Sequence, residues 1–151
     1  MKVSEYLKKE YCVMELESVD KEGAIREIVG LISTCGMVSD SEGFIQSILE
    51  RESLGSTGIG HKVAIPHSRT DTVKGFVIGF GRSAAGIDFK AIDDDKVTLV
   101  FLMGANPGEL NLYLRLLAEL SKLLMEESFR RVLAAAADPQ DVIEAIKRFE
   151  Q

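Results

Sequence analysis

Both histidines of the 151-residue chain, His61 and His67, lie in the stretch RESLGSTGIGHKVAIPHSR, Arg51 to Arg69. The stretch joins an Arg-Glu pair, a glycine-rich run, a short apolar segment and a Pro66-His67 pair. Several chemistries use such residues, and spacing separates them. A Walker loop requires G-x-x-x-x-G-K-[ST], with lysine directly after the second glycine and a hydroxyl for magnesium. Gly55 to Gly60 has the glycine spacing, but His61-Lys62-Val63 follows, so the lysine is displaced and the hydroxyl is missing. The dinucleotide pattern G-x-G-x-x-G also fails, because GSTGIG reverses its spacing. A shared metal is disfavoured by reach: at ~3.3 Å per extended residue, His61 and His67 stand about 20 Å apart, whereas zinc ligands lie within ~2.1 Å of the ion.

Two chemistries remain. Ser56 or Ser68 with His67 and an aspartate would make a hydrolytic triad, although the chain has no G-x-S-x-G elbow. Alternatively His67 works alone as a nucleophile toward a phosphoryl group. An imidazole with a pKa near ~6.5 is largely neutral at neutral pH and can attack phosphorus. Glycine lets backbone amides approach an anion closely, and successive amides in a turn form an anion-binding concavity. Ser56 and Thr57 would add hydroxyl donors, and Arg51 and Arg69 positive charge. Pro66 biases Ile65 toward extended geometry and would hold His67 at a strand end. The plainer alternative is a structural histidine beside a connecting turn.

The elements that must position these residues follow from hydrophobic periodicity. Ser18 or Asp20 caps a helix carrying Ala24, Ile25, Ile28, Val29 and Ile32, closed by Gly36. Ser39 to Glu42 reads as a capping box for a second helix running to about Leu54, which delivers Arg51 to the glycine run. Lys62–Pro66, Gly75–Gly81 and Lys96–Met103 read as strands, the last apolar enough to be buried on both faces, and a fourth starts near Tyr11. Asn106-Pro107 opens a long helix with Leu110, Leu114, Leu117, Leu120, Leu123 and Leu124. A further turn or short helix holds Phe129, Val132 and Leu133, and Asp138-Pro139 starts the last helix, with Val142, Ile143 and Ile146. The pattern predicts a layered α/β domain with a mixed sheet.

Composition agrees. Residues 1–151 suit one domain able to bury roughly 70% of its unfolded surface, and 46% hydrophobic with 28% charged residues is ordinary for a globular chain. Net charge is −6 with no Lys/Arg cluster, which argues against nucleic acid as a partner. No run approaches the ~20 apolar residues of a membrane span. The N-terminal MKVSEYLKKEY lacks the apolar core of a secretion signal, so a cytoplasmic location is expected. Cys12 and Cys35 are expected to be free, buried thiols. Asp93-Asp94-Asp95 reads as a solvated turn, not a calcium loop.

The stretch from Arg51 resembles the signature R-E-x-x-x-S-T-G-I-G-x-x-x-A-I-P-H of enzyme IIA domains of the fructose, mannitol and nitrogen-related phosphotransferase systems. DKEGAIREIVGLI, GIDFKAIDDDKVTLVFLM and YLRLLAELSKLL extend the resemblance over nearly the whole chain. It implies a three-layer α/β/α fold with a mixed, mostly parallel sheet and helices on both faces. It implies that His67 accepts a phosphoryl group from the phosphocarrier HPr or a counterpart, and that Arg51, Ser56, Thr57, Gly58 and Gly60 support the phosphate. The group would pass to an enzyme IIB component, or serve as a signal to a transporter or kinase. No metal, nucleotide or other cofactor is implied, and no attached IIB or IIC segment is expected to name a sugar. Two positions depart from the pattern. Tyr113 stands where many members carry a second histidine; its hydroxyl can donate to phosphate but cannot become a cation near neutral pH. His61 replaces a frequent asparagine and is expected in a turn, since both tolerate left-handed geometry.

Overall fold

The computed structural model describes residues 2–151. Six strands, β1 (Cys12–Val13), β2 (Gly58–Gly60), β3 (Val63–Ala64), β4 (His67–Arg69), β5 (Phe76–Ile87) and β6 (Val97–Ala105), form one sheet. Five α-helices cover it: α1 (Lys21–Ile32), α2 (Ser41–Ser53), α3 (Leu110–Leu124), α4 (Glu127–Ala135) and α5 (Pro139–Phe149). The strand order is β1-β5-β6-β3-β2, and β4 also pairs with β6, further along the edge that β3 occupies. Pairings β1–β5, β3–β6 and β4–β6 are parallel, whereas β2–β3 and the long β5–β6 pair are antiparallel.

Strand alternation divides the core in two. Leu99, Phe101 and Met103 of β6 pack with Ile78 and Phe80 against Leu116, Leu120, Phe129 and Ile146 of α3, α4 and α5. Val100 and Leu102 point the other way, with Val77, against Ile25, Ile28, Phe44 and Ile48 of α1 and α2. The central strand is therefore apolar on both faces, and the three-layer expectation holds. The sheet is also closely approached: a Cβ on Gly104 would overlap the Phe44 ring of α2, so only glycine lets that helix lie so near β6.

Helix starts follow side-chain caps. Asp20, not Ser18, caps α1 by accepting from Gly23 N–H at 2.7 Å. Asp40, rather than Ser39, caps α2 by accepting from Gly43 N–H at 3.0 Å. The expected capping box is therefore not formed. Ser39 instead donates its amide to the Thr72 carbonyl at 2.8 Å, and Glu42 is drawn to the Arg26 guanidinium at 2.8 Å. Gly36, left-handed at φ 81°, ends a 3-10 extension of α1. Asn106 caps a 3-10 turn over Pro107–Glu109 that leads into α3, and Asp138 caps α5. Cys12 is buried, which pushes its thiol up to about 12, while Cys35 is only half-buried; both are free.

The half-buried Arg82 ties the segment after β1 to the end of α4. Its Nη1 donates to the carbonyls of Leu133, Ala134 and Ala136 at 3.1, 3.2 and 2.7 Å, and its Nε to Met14 O at 3.3 Å. A cation at a helix C-terminus satisfies carbonyls left without amide partners. Replacing Arg82 by Met should lower the unfolding free energy by about 2 kcal/mol, read as a reduced urea midpoint by circular dichroism at unchanged slope.

Candidate functional site

The break between β3 and β4 builds the site. Both strands run parallel to β6, but between them Ile65 steps out of the ladder, and Pro66 keeps only its carbonyl in it. Ile65 donates its amide to Thr57 O at 3.1 Å, and Pro66 O accepts from Met103 N–H at 3.0 Å. Proline fixes its own φ and has no amide to pair, so the chain turns here at little hydrogen-bonding cost. The carbonyl of Ile65 is left for a side chain, and His67 Nδ1 lies 2.6 Å from it. A carbonyl only accepts, so Nδ1 carries the proton and Nε2 keeps its lone pair.

His67 pairs with Met103 and shares its face, toward α3; the Tyr113 ring centroid is 5.9 Å away. Arg69 pairs with Ala105 and takes the same face. Pro66 O and Thr70 N–H both bond to β6, so the intervening amides of His67 and Arg69 point out along the open strand edge. A cleft of about 450 Å³ opens there, lined by Glu50 and Arg51 of α2 and Leu54 just after it, by His67, Ser68 and Arg69, and by Leu110, Tyr113 and Leu114 of α3. Leu54, Leu110 and Leu114 are 82%, 40% and 53% exposed and form an apolar rim. Arg51 holds its guanidinium in place by donating to Gly55 O at 2.9 Å.

Burial is the largest influence on His67 and lowers its pKa below the ordinary histidine value. Arg51 lowers it further, while the Ile65 hydrogen bond and Glu52 oppose the shift. The net result is a neutral imidazole at neutral pH. Burial likewise raises the Tyr113 phenol, against the pull of Arg69 and Arg51, so it stays protonated and able to donate.

Of the residues expected around His67, the structure brings Arg51, Arg69 and Tyr113 to the cleft. Ser56, Thr57, Gly58 and Gly60 are not among its walls, and their polar groups are spent elsewhere. Ser56 Oγ donates to Phe89 O at 2.5 Å and accepts from Gly58 N–H at 3.0 Å. Thr57 donates its hydroxyl to Glu52 Oε2 and its amide to Glu52 Oε1 at 3.2 Å. Gly58 and Gly60 pair with Ala64 and Val63 in a hairpin. The glycine run is thus a strand instead of an anion nest, because the β3 backbone satisfies it. His61 and Lys62, at φ 55° and 64°, make the two-residue turn, as expected for His61. At Gly58 a Cβ would fall 2.7 Å from that of Ala91, which explains glycine there by close approach alone.

The triad fails on geometry: Ser56 Oγ is engaged by Phe89, and Ser68, opposite Gly104, faces α2 while His67 faces α3. Ser68 Oγ is buried and has no partner among the described residues. The sequence reading lacks the strands β2 and β4 and the buried acid Glu52, 6% exposed, beside Arg51.

The fold and this cleft define a phosphotransferase-type IIA architecture. The model of the family "Phosphoenolpyruvate-dependent sugar phosphotransferase system, EIIA 2" matches residues 5–149, and the chain belongs to that family. It is 38% identical over 151 residues to the fructose-specific EIIABC component of Bacillus subtilis (strain 168), a match that takes 100% of this chain and only 24% of that protein's length. The crystal structure of nitrogen regulatory protein IIA-Ntr from Neisseria meningitidis superposes with a TM-score of 0.89 at 26% identity, covering 95% of this chain and 98% of that one. The IIA chain in a complex with phosphorylated enzyme IIB for mannitol, from Escherichia coli, superposes at 0.79 with 26% identity, covering 94% and 99%. Among the described residues no helix is long and apolar enough to cross a membrane.

The lowered pKa has a sign that can be checked. The unfolded chain, titrating near ~6.5, binds more protons than the folded one just below that pH. Stability contributed by His67 is intact above about 6.5 and is lost as pH falls through the folded-state value. Nitrogen-15 NMR should show His67 as the Nδ1–H tautomer with a midpoint below that of a model histidine. His67→Gln should lose stability less steeply than the native chain between pH ~7 and ~5.

Proposed function

We propose that the chain is a cytoplasmic phosphocarrier that accepts a phosphoryl group on His67 Nε2 from a phosphohistidine of an HPr-like protein. The group then passes to an enzyme IIB component. The observation that carries this reading is the His67 Nδ1 bond to Ile65 O, which leaves Nε2 bare in a cleft with two arginines. In the step, the Nε2 lone pair forms the new P–N bond as the donor's P–N bond breaks, and the departing imidazole takes back its electron pair. Nδ1 keeps its proton throughout, so the step needs no base. Catalysis is positioning plus electrostatics. Arg51, Arg69 and the outward amides of His67 and Arg69 face the charge on the transferring oxygens, and Tyr113 adds a neutral donor. Ser56, Thr57, Gly58 and Gly60 support the site from behind, by holding the hairpin that braces Ile65.

A second reading is a regulatory module whose phosphorylated form binds a transporter or kinase differently. The likeness to the nitrogen regulatory protein from Neisseria meningitidis favours it, and so does Tyr113, which cannot supply the second cation of a two-histidine site. Negative charge arriving at a surface cleft is enough to make or break an interface.

Incubation with phosphoenolpyruvate, enzyme I and HPr, followed by intact-mass analysis, should show one acid-labile phosphoryl adduct on the native chain and none on His67→Ala. Arg51→Gln should slow labelling on the order of 10²-fold. An adduct on His67→Ala would remove His67 from the role. A native adduct that never moves to an enzyme IIB component, but changes affinity for a transporter or kinase, would favour the regulatory reading.

A further inference from the structure

The Arg51-Glu52 pair divides its labour. Arg51 lines the cleft, whereas Glu52 turns inward, its side chain 3% exposed. A buried carboxylate is costly unless every oxygen is used, and here both are. Oε1 meets Lys21 Nζ at 2.9 Å and accepts from Thr57 N–H at 3.2 Å, and Oε2 accepts from the Thr57 hydroxyl. The chain of contacts does not stop at Thr57. Its carbonyl accepts from Ile65 N–H at 3.1 Å, and the Ile65 carbonyl accepts from His67 Nδ1 at 2.6 Å. A path that alternates hydrogen bonds with the backbones of Thr57 and Ile65 therefore runs from the head of α1, through the tail of α2, to the nitrogen of His67 that must stay protonated.

We infer that Glu52 is a positioning residue for His67: by clamping Thr57 it fixes the Ile65 backbone through its N–H, and so the carbonyl that sets the tautomer and direction of the imidazole. Lys21 neutralises the buried carboxylate from the opposite side, at the wall of a separate cleft of about 600 Å³. Glu52 is the partner of both the amide and the hydroxyl of Thr57. Freed of that clamp, Ile65 O drifts from Nδ1, and the ring then populates both tautomers, one of which blocks Nε2 with a proton.

The inference rests on the phosphocarrier reading for its kinetic part and on structure alone for its tautomer part. The test compares the native chain with Glu52→Ala, Glu52→Gln and Thr57→Val, using nitrogen-15 NMR of His67 and single-turnover phosphoryl transfer from phosphorylated HPr. Glu52→Ala should shift His67 toward the Nε2–H tautomer and slow transfer by roughly 10²-fold, the scale of an ångström-sized misplacement. Glu52→Gln should restore the native tautomer and bring transfer within about tenfold of native, because its amide oxygen still accepts from Thr57 N–H and its amide nitrogen can donate to the hydroxyl. Thr57→Val, which removes one of the two bonds, should move both readouts the same way but less, and it decides the matter if Glu52→Ala does not fold. A folded Glu52→Ala, or failing that Thr57→Val, with native tautomer and native rate would overturn the inference. A native chain that takes no phosphoryl group would overturn the carrier reading, while the tautomer comparison would still decide the role of Glu52.

Discussion

The contact between His67 Nδ1 and Ile65 O is the interaction on which the cleft depends, and on the carrier reading it is what leaves the other nitrogen free to take a group. That contact exists only because the strand edge is interrupted. In an unbroken strand the carbonyl of Ile65 would be drawn into the pairing or left to water. Here β3 and β4 both lie along β6, with Ile65 and Pro66 between them, and the step frees one carbonyl at the place where a ring two residues on can reach it. The layers then matter because β4 lies on the edge. α2 arrives over one face and α3 over the other, so side chains from both meet beyond the last strand.

Much of this is legible in the sequence, for reasons that differ by element. β6 declares itself because burial on both faces demands an uninterrupted apolar run. The helices declare themselves through aspartate, asparagine and proline at their starts. β2 and β4 do not, because strands of three residues are too short for alternation to show and one of them contains two glycines. The glycine run misleads for the same reason. Glycine serves close approach to an anion or close approach to another chain segment, and only the position of Ala91 shows that the second applies. β5 is underestimated because RSAAGI lacks bulk, yet it continues the strand to Ile87. For the cleft itself, His67, Arg51 and Tyr113 could be named from spacing and resemblance. The inward turn of Glu52 could not, since an acid beside an arginine near a helix end ordinarily faces water.

The Arg51-Glu52 adjacency is also an electrostatic arrangement. Neighbours on a helix point about 100° apart, so one charge reaches the edge cleft while the other goes beneath it. Their effects on His67 are opposed, with Arg51 disfavouring the imidazolium and Glu52 favouring it, and burial outweighs both. A site dominated by burial keeps its imidazole neutral without depending on either neighbour's field. Its arginines therefore remain available to an incoming anion.

The leucines at the mouth of the cleft have a consequence of their own. Leu54, Leu110 and Leu114 stand largely uncovered around a position where, on the carrier reading, a water-labile P–N bond would form. A partner seated on them excludes water and lowers the local dielectric, so the same arginines hold the group more strongly while it is covered. The lifetime of the charged form then belongs to the encounter as much as to the chain. On that reading the group would be lost to water between encounters and more slowly within them.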